Sequence, residues 1–200
     1  MLFQKKKGTA KPSSRDNQTD WPVPIAAPAM TAIQIMALTS TQVGVLTTAQ
    51  IAALTSAQLS SLNKVQISAL TTAQVAALTT GQAKALSAAS LMALTTSQVK
   101  ALGTSQMNVL TAKQVAALTT TQVNSVTASQ VAALSTAQVA ALTTTQLNAA
   151  SVSLVNALST GQVATLGTST VQGLSTTVIQ TLTSAQVGAF NTSQVAALTT

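Results

Sequence analysis

The sequence predicts an all-α solenoid of very short capped helices, one for every eight residues. Three observations carry this expectation. Leucines recur at Leu46, Leu54, Leu62, Leu70, Leu78 and Leu86, eight residues apart. The residue after each is Thr, Ser, Asn or Gly. Three residues further on stands a glutamine, followed by an apolar residue. Self-similarity at a fixed period is the signature of a repeat architecture.

The octads run from Thr31 to Leu198, 168 residues or 21 repeats. The post-leucine column, Thr31, Thr39, Thr47, Thr55, Asn63 and onward, holds helix N-cap residues. Its exceptions, Gly103, Gly167 and Asn191, suit an N-cap and not a strand. The glutamine column, Gln34, Gln42, Gln50, Gln58 and onward, is broken only at Ser90, Leu154, Thr170 and Val178. Ser/Thr-x-x-Gln is a capping box, in which the glutamine reaches back to the N-cap amide. The next residue, as at Ile35, Val43, Ile51 and Val75, is always apolar. It sits at the fourth helical position, and the leucine precedes the cap, so the pair forms a hydrophobic staple. Each leucine therefore closes one helix and staples the next.

A small residue precedes most leucines, as at Ala37, Ala53, Ala69 and Ala77, which lets neighbouring coils approach. The position before that is permissive (Met36, Lys84, Lys100, Asn108, Asn124, Asn148) and is expected to face solvent. The run AASVSL, Ala149 to Leu154, loses the usual leucine and glutamine, and reads as a kink or as drift.

Other folds meet geometric objections. In a continuous helix eight residues overshoot two turns by about 80°, so the leucines would wind around every side. In a strand, residues five apart point to opposite faces. A β-solenoid with one bend per octad is the remaining alternative. A helix of six or seven residues is unstable alone because nucleation is costly. Stability must come from contacts between neighbouring coils, several octads to each coil.

Residues 1–29 differ from the array. They are polar, basic and proline-containing, and read as a disordered tail preceding a solenoid over 30–200. Lys5, Lys6, Lys7, Lys11 and Arg15 lie there, as do the only acids, Asp16 and Asp20. The octads carry only Lys64, Lys84, Lys100 and Lys113. Charged residues are 6% of the chain, where about 25% is usual. The net charge of +7 thus reflects missing acids more than a phosphate-binding stripe. There is no cysteine, histidine or tyrosine, which removes disulfides, Cys/His metal sites and His- or Cys-based catalysis. No catalytic residue, cofactor site, metal site or small-molecule substrate is expected. No run of about 18 apolar residues is present to span a membrane. The basic run at Lys5 is not followed by an apolar signal core. The compartment stays open: cytoplasmic, or the cell surface by a route without a signal peptide.

The stretch LTTAQVAALTT, from Leu70, resembles the LTxxQ-type octapeptide repeats of large bacterial proteins. The resemblance covers the whole array and implies a structural or surface-associated role. LTTAQVAAL also resembles the start of the first helix in TAL-effector DNA-binding repeats. That likeness is confined to the capping segment, and no base-reading loop follows.

Three functions are weighed. The first is a structural protein that self-assembles head-to-tail into filaments or arrays, its partner being itself. Weak self-repulsion favours it. So does the array's end at Ala196-Ala197-Leu198-Thr199-Thr200, which has no charged capping repeat. Candidate docking residues are Trp21, Pro22, Val23 and Pro24 in the tail and Leu198 at the far end. The second is a monomeric scaffold or adhesin-type module for a protein or glycan. The third is nucleic-acid binding through the basic tail. Lys5, Lys6 and Lys7 are the candidate contact to an acidic partner or membrane surface. The threonine pairs read as capping and solvated positions, not as a flat ice-binding face. The glutamine ladder reads as capping, not as amyloid-like stacking.

Overall fold

The octad folds as its columns dictate. In the Leu70 repeat, Thr71 is extended at φ −72°, ψ 160°. Its Oγ1 accepts from the Gln74 amide at 3.1 Å, while its own amide donates to Gln74 Oε1 at 2.7 Å. Two of the amides that open the helix are thereby satisfied. The helix covers Thr72–Ala76. Val75 N donates to Thr71 O at 3.0 Å, and the helix closes with Leu78 N donating to Val75 O at 3.2 Å.

The computed structural model describes residues 30–198. It holds twenty-one helices, numbered α1 to α21 in chain order, and no strand among the described residues. The β-solenoid alternative is thereby set aside. Helices α1 to α20 are five or six residues long, slightly shorter than the spacing predicts, and α21 (Thr192–Leu198) has seven. The difference arises because the leucine leaves the helix. Leu54 is extended at φ −62°, ψ 140°, and Thr55 continues at φ −68°, ψ 157°. Two extended residues turn the chain from one helix into the next. No described residue has a positive φ, so the corners need no glycine.

Helices pack on the third one along, α1 (Ala32–Met36) on α4 (Ser56–Ser60), α6 (Thr72–Ala76) on α9 (Thr96–Ala101), and so to α18 (Thr168–Gln172) on α21, except that α15 (Thr144–Asn148) meets the fourth, α19 (Thr176–Thr181). One coil is therefore three octads. Equivalent caps, such as Thr31 and Thr55, lie 24 residues apart. The solenoid has three sides, each a stack of parallel short helices. The twenty-one octads make seven coils.

The core is one continuous column. The fourth-position residues Ile35, Val43, Ile51, Leu59, Ile67 and Val75 are wholly buried. The leucines Leu54, Leu62, Leu70 and Leu78 join them in the same cluster. Both halves of the staple thus enter the core. Each buried Leu or Val contributes roughly 1.5–3 kcal/mol, which only stacking can supply to a helix this short.

Candidate functional site: the coil joint and its open faces

The glutamine column does more than cap. Gln82 is 2% exposed. Its Oε1 accepts from Thr79 N at 2.8 Å, completing the capping box. Its Nε2 donates to the carbonyls of Leu54 and Ile51, at 2.7 and 2.8 Å, in the coil below. The same donation, to carbonyls 28 and 31 residues back, recurs at Gln66, Gln74, Gln130, Gln138 and Gln162. Those acceptors lie where one helix ends and the next begins, so each corner is tied to the corner beneath it.

This joint explains a feature that capping leaves unexplained. Glutamate serves a capping box as well as glutamine does, yet the column contains no glutamate. A carboxylate has no proton to donate to the carbonyls below. The absence of glutamate was the signal in the sequence for this second role. The ladder is thus a stacking device as well as a cap, built across coils rather than along a fibril of strands.

Where glutamine is missing, other groups replace part of the joint. Leu154 in α16 (Val152–Asn156) enters the apolar core instead. The Ser151 amide, deprived of its box, donates to Asn124 Oδ1 of the coil below at 2.9 Å, and Asn124 Nδ2 donates to the Ala149 carbonyl. Val178 in α19 (Thr176–Thr181) is compensated in the same way. Ser175 N donates to Asn148 Oδ1 at 2.8 Å, and Asn148 Nδ2 to Gly173 O at 2.9 Å. Asn108, below a coil with its own glutamine, keeps only the donation to Ala133 O at 2.8 Å. These asparagines are exposed, as the permissive column predicts, but three of them also clamp coils. At Ser90 the hydroxyl pairs with Ser87 Oγ at 2.8 Å. No buried side-chain polar atom among the described residues is left without a partner.

The AASVSL run departs from the pattern at Ala150 and Leu154. The helices continue through it, but Ala150 stands where a leucine belongs, and Val126 stands one coil below at the same corner. Between these shortened side chains lies an apolar cavity of about 40 Å³, lined among others by Val123, Val131, Leu147 and Leu158.

The coil period also sorts the threonines. Every twenty-fourth residue from Thr48 to Thr192 is threonine, so one side of the solenoid carries one at the first helical position of each coil. Adjacent threonines do not form a one-faced array, but stacked ones do. At the corner between this side and the next, a groove of about 370 Å³ is lined by Thr96, Ser97, Lys100, Asn124, Ser151 and Ser153 together with the apolar Val126 and Leu154.

The two ends of the described array differ. In the first coil, Gln34, Gln42 and Gln50 close their own boxes through Oε1, at 2.7–2.8 Å. Their Nε2 groups meet no carbonyl among the described residues. Ile33, Met36 and Val45 are exposed there. In the last coil, Val187 and Val195 are 47% and 48% exposed, where the equivalent Val75 is fully buried. Leu198, the predicted docking residue, is 39% exposed on the same face. The other predicted site residues, Trp21, Pro22, Val23, Pro24, Lys5, Lys6 and Lys7, lie outside the described residues, as does the expected disordered tail. The array's four lysines are all exposed. Among the described residues no cluster could hold a metal ion, and no helix is long and apolar enough to cross a membrane.

A family model described as the ALTTAQ repeat matches residues 28–56, 51–80 and 168–200. No curated protein and no solved structure matches the chain. The three matches, at both ends of the array, together with the stacked octads between them, support a repeat-protein family for this chain.

Proposed function

We propose that this chain is a structural protein, a rod-like solenoid that assembles head-to-tail into filaments or arrays, without catalytic activity. The observation that carries the reading is the uniformity of the coil joint. One coil grips the next with the same amide-to-carbonyl bonds at nearly every corner. A coil therefore has no means of distinguishing a neighbour in its own chain from one in another. Heterologous contacts of that kind generate open fibres. The octads carry four lysines and no acid, so repulsion between copies is weak. The reading takes with it the bacterial, surface-associated setting that the octapeptide resemblance implies.

Electron microscopy of the purified chain, with far-UV circular dichroism, tests it. Long fibres with a helical spectrum are expected. A monodisperse monomer at high concentration would end the filament reading.

A second reading, a monomeric scaffold or adhesin-type module, is favoured by one observation. The groove around Thr96, Ser97, Asn124 and Ser151 is lined by hydroxyl and amide groups of the kind that pair with sugar hydroxyls. It predicts a stable monomer with saturable glycan binding that is lost in Asn124→Ala. Nucleic-acid contact through residues 1–15 stands third, and predicts steep salt dependence.

A further inference from the structure

We infer that the groove and the cavity at the corner of Val126 and Ala150 form one amphipathic site for an N-acetylated sugar unit, its hydroxyls in the groove and its acetyl methyl in the cavity. The inference rests on the glycan reading of this groove, names the sugar class, and does not depend on filament assembly. It begins in the sequence. The column that precedes the caps holds leucine, or Met30 and Phe190, everywhere but at Val126 and Ala150. Those two stand one coil apart at a single corner, and the octad that starts at Ser151 also has Leu154 in place of glutamine. The other three octads without glutamine keep the leucine before them, Leu86, Leu166 and Leu174. Leucine and glutamine are lost together only here.

The two voids follow from those changes. The shortened side chains leave the cavity of about 40 Å³ in the core. A glutamine at 154 would lie across the Val126 carbonyl, as Gln130 does across Leu102. Leu154 turns into the core instead, and the groove of about 370 Å³ opens over the corner. Val126 and Leu154 line both voids, so the floor of the groove is the wall of the cavity. Every side chain lining the cavity is apolar, which keeps it dry. A methyl group placed there regains the dispersion contacts that the missing leucine atoms would have made.

The groove supplies the hydrogen bonds. The hydroxyls of Thr96, Ser97 and Ser153 line it and make no hydrogen bond among the described residues. Asn124 accepts from the Ser151 amide and donates one proton to the Ala149 carbonyl, which leaves one acceptor site and one proton. The Ser151 hydroxyl accepts from the Leu154 amide at 3.4 Å and keeps its own proton. An acetamido group matches this set. Its carbonyl accepts from the Asn124 amide, its N–H donates to a hydroxyl, and its methyl lies beyond them. The methyl reaches the void when the Leu154 side chain changes rotamer, a common adjustment on binding. Lys100 is the only charged residue lining the groove, so a free amino sugar, carrying an ammonium, is disfavoured against its acetylated form. The groove lies at the low end of ligand sites, about 300–1,000 Å³, which suits a short glycan.

Two neutral disaccharides test the site on the full-length chain. N,N′-diacetylchitobiose carries acetamido groups where cellobiose carries hydroxyls. Titration calorimetry should find the acetylated sugar bound about tenfold more tightly, the discrimination that one small apolar group in an apolar pocket supplies. Saturation-transfer NMR should place the strongest protein contact at the acetyl methyl protons. Ala150→Val puts at this corner the residue already present one coil below and reduces the cavity. It should bring the two sugars to equal affinity, with a circular dichroism spectrum like that of the wild type. Equal affinities in the wild type, or a weak acetyl signal, overturn the acetyl site while the glycan reading stands. A preference that survives Ala150→Val overturns the placement of the methyl in the cavity. Binding of neither sugar removes the glycan reading and the site together.

Discussion

Two stretches of this solenoid satisfy the same backbone groups by different means. From Gln98 to Gln146 every octad has its glutamine, which caps its own helix and grips the coil below. From Ser151 to Thr181 three of four octads lack it. There the N-cap amide is taken over from beneath, by Asn124 under Ser151 and by Asn148 under Ser175. The fixed requirement is therefore not the glutamine. What these two corners keep is an acceptor for the N-cap amide, since a polar group buried without one costs about 1–3 kcal/mol. A side chain from either coil can supply that acceptor. The irregular stretch also gives up some packing. Leu134 and Leu158 are 8% and 7% exposed beside the cavity, where Leu86 and Leu102 are 3%.

The largest expected effect comes from Gln82→Glu in a regular coil. If capping were the glutamine's whole role, this change would be harmless. If the joint is as described, a buried carboxylate faces the Ile51 and Leu54 carbonyls with nothing to donate, and the loss should be about 3 kcal/mol at pH 7. Its folded pKa should then lie above the unfolded value of about 4.3. The folded state binds the extra proton, so stability is regained as pH falls through the folded pKa and lost as pH rises. Urea midpoints at pH 7 and pH 4 check both the size and the sign. Equal midpoints for wild type and variant at pH 7 would remove the stacking role.

The asparagine clamps give the next test. Asn124→Ala strips the Ser151 amide of its acceptor and should cost about 1 kcal/mol. Asn108→Ala should cost less, because Gln138 already holds the Ser135 amide above it. A thermal-unfolding comparison in which both cost the same would mean that Asn124 does not stand in for the missing glutamine.

Filling the cavity should move stability the other way. Val126→Leu adds one methylene beside a void of about 40 Å³. At roughly 24 cal/mol per Å³ the gain is about 1 kcal/mol, read as a higher midpoint. Leu102→Val, at the same corner one coil lower, should lose a similar amount and so reproduce the irregular stretch inside the regular one.

The smallest effect is expected on the exposed side. Thr121→Ala and Thr145→Ala should each stay within about 0.5 kcal/mol. A larger loss would show that the threonine-bearing side contributes to stability and is not solely a surface.

Much of this fold was legible in the sequence because its decisive interactions are local. The capping box and the staple join residues within one octad, so a period of eight with Thr, Gln, Val and Leu at fixed offsets names the helix start, the buried face and the exit. The four breaks in the glutamine column are the four helices in which no glutamine takes the N-cap amide, α8 (Ala88–Ala93), α16, α18 and α19, while Gly103 before α10 (Thr104–Val109) leaves only the glutamine half of the box. What was not legible joins residues 24 to 31 apart. The number of octads per coil, the second set of glutamine bonds, the Asn124 and Asn148 clamps and the pairing of Val126 with Ala150 all depend on which octad lies above which. Local chemistry does not choose among two, three or four octads per coil. The turn angle at each corner does, through the two extended residues Leu54 and Thr55 and their equivalents. By itself the sequence determined that there would be twenty-one short capped helices and one apolar stripe. Only tertiary stacking decided that three of them close a coil, because that choice sums small dihedral angles over 24 residues and is held by bonds between them.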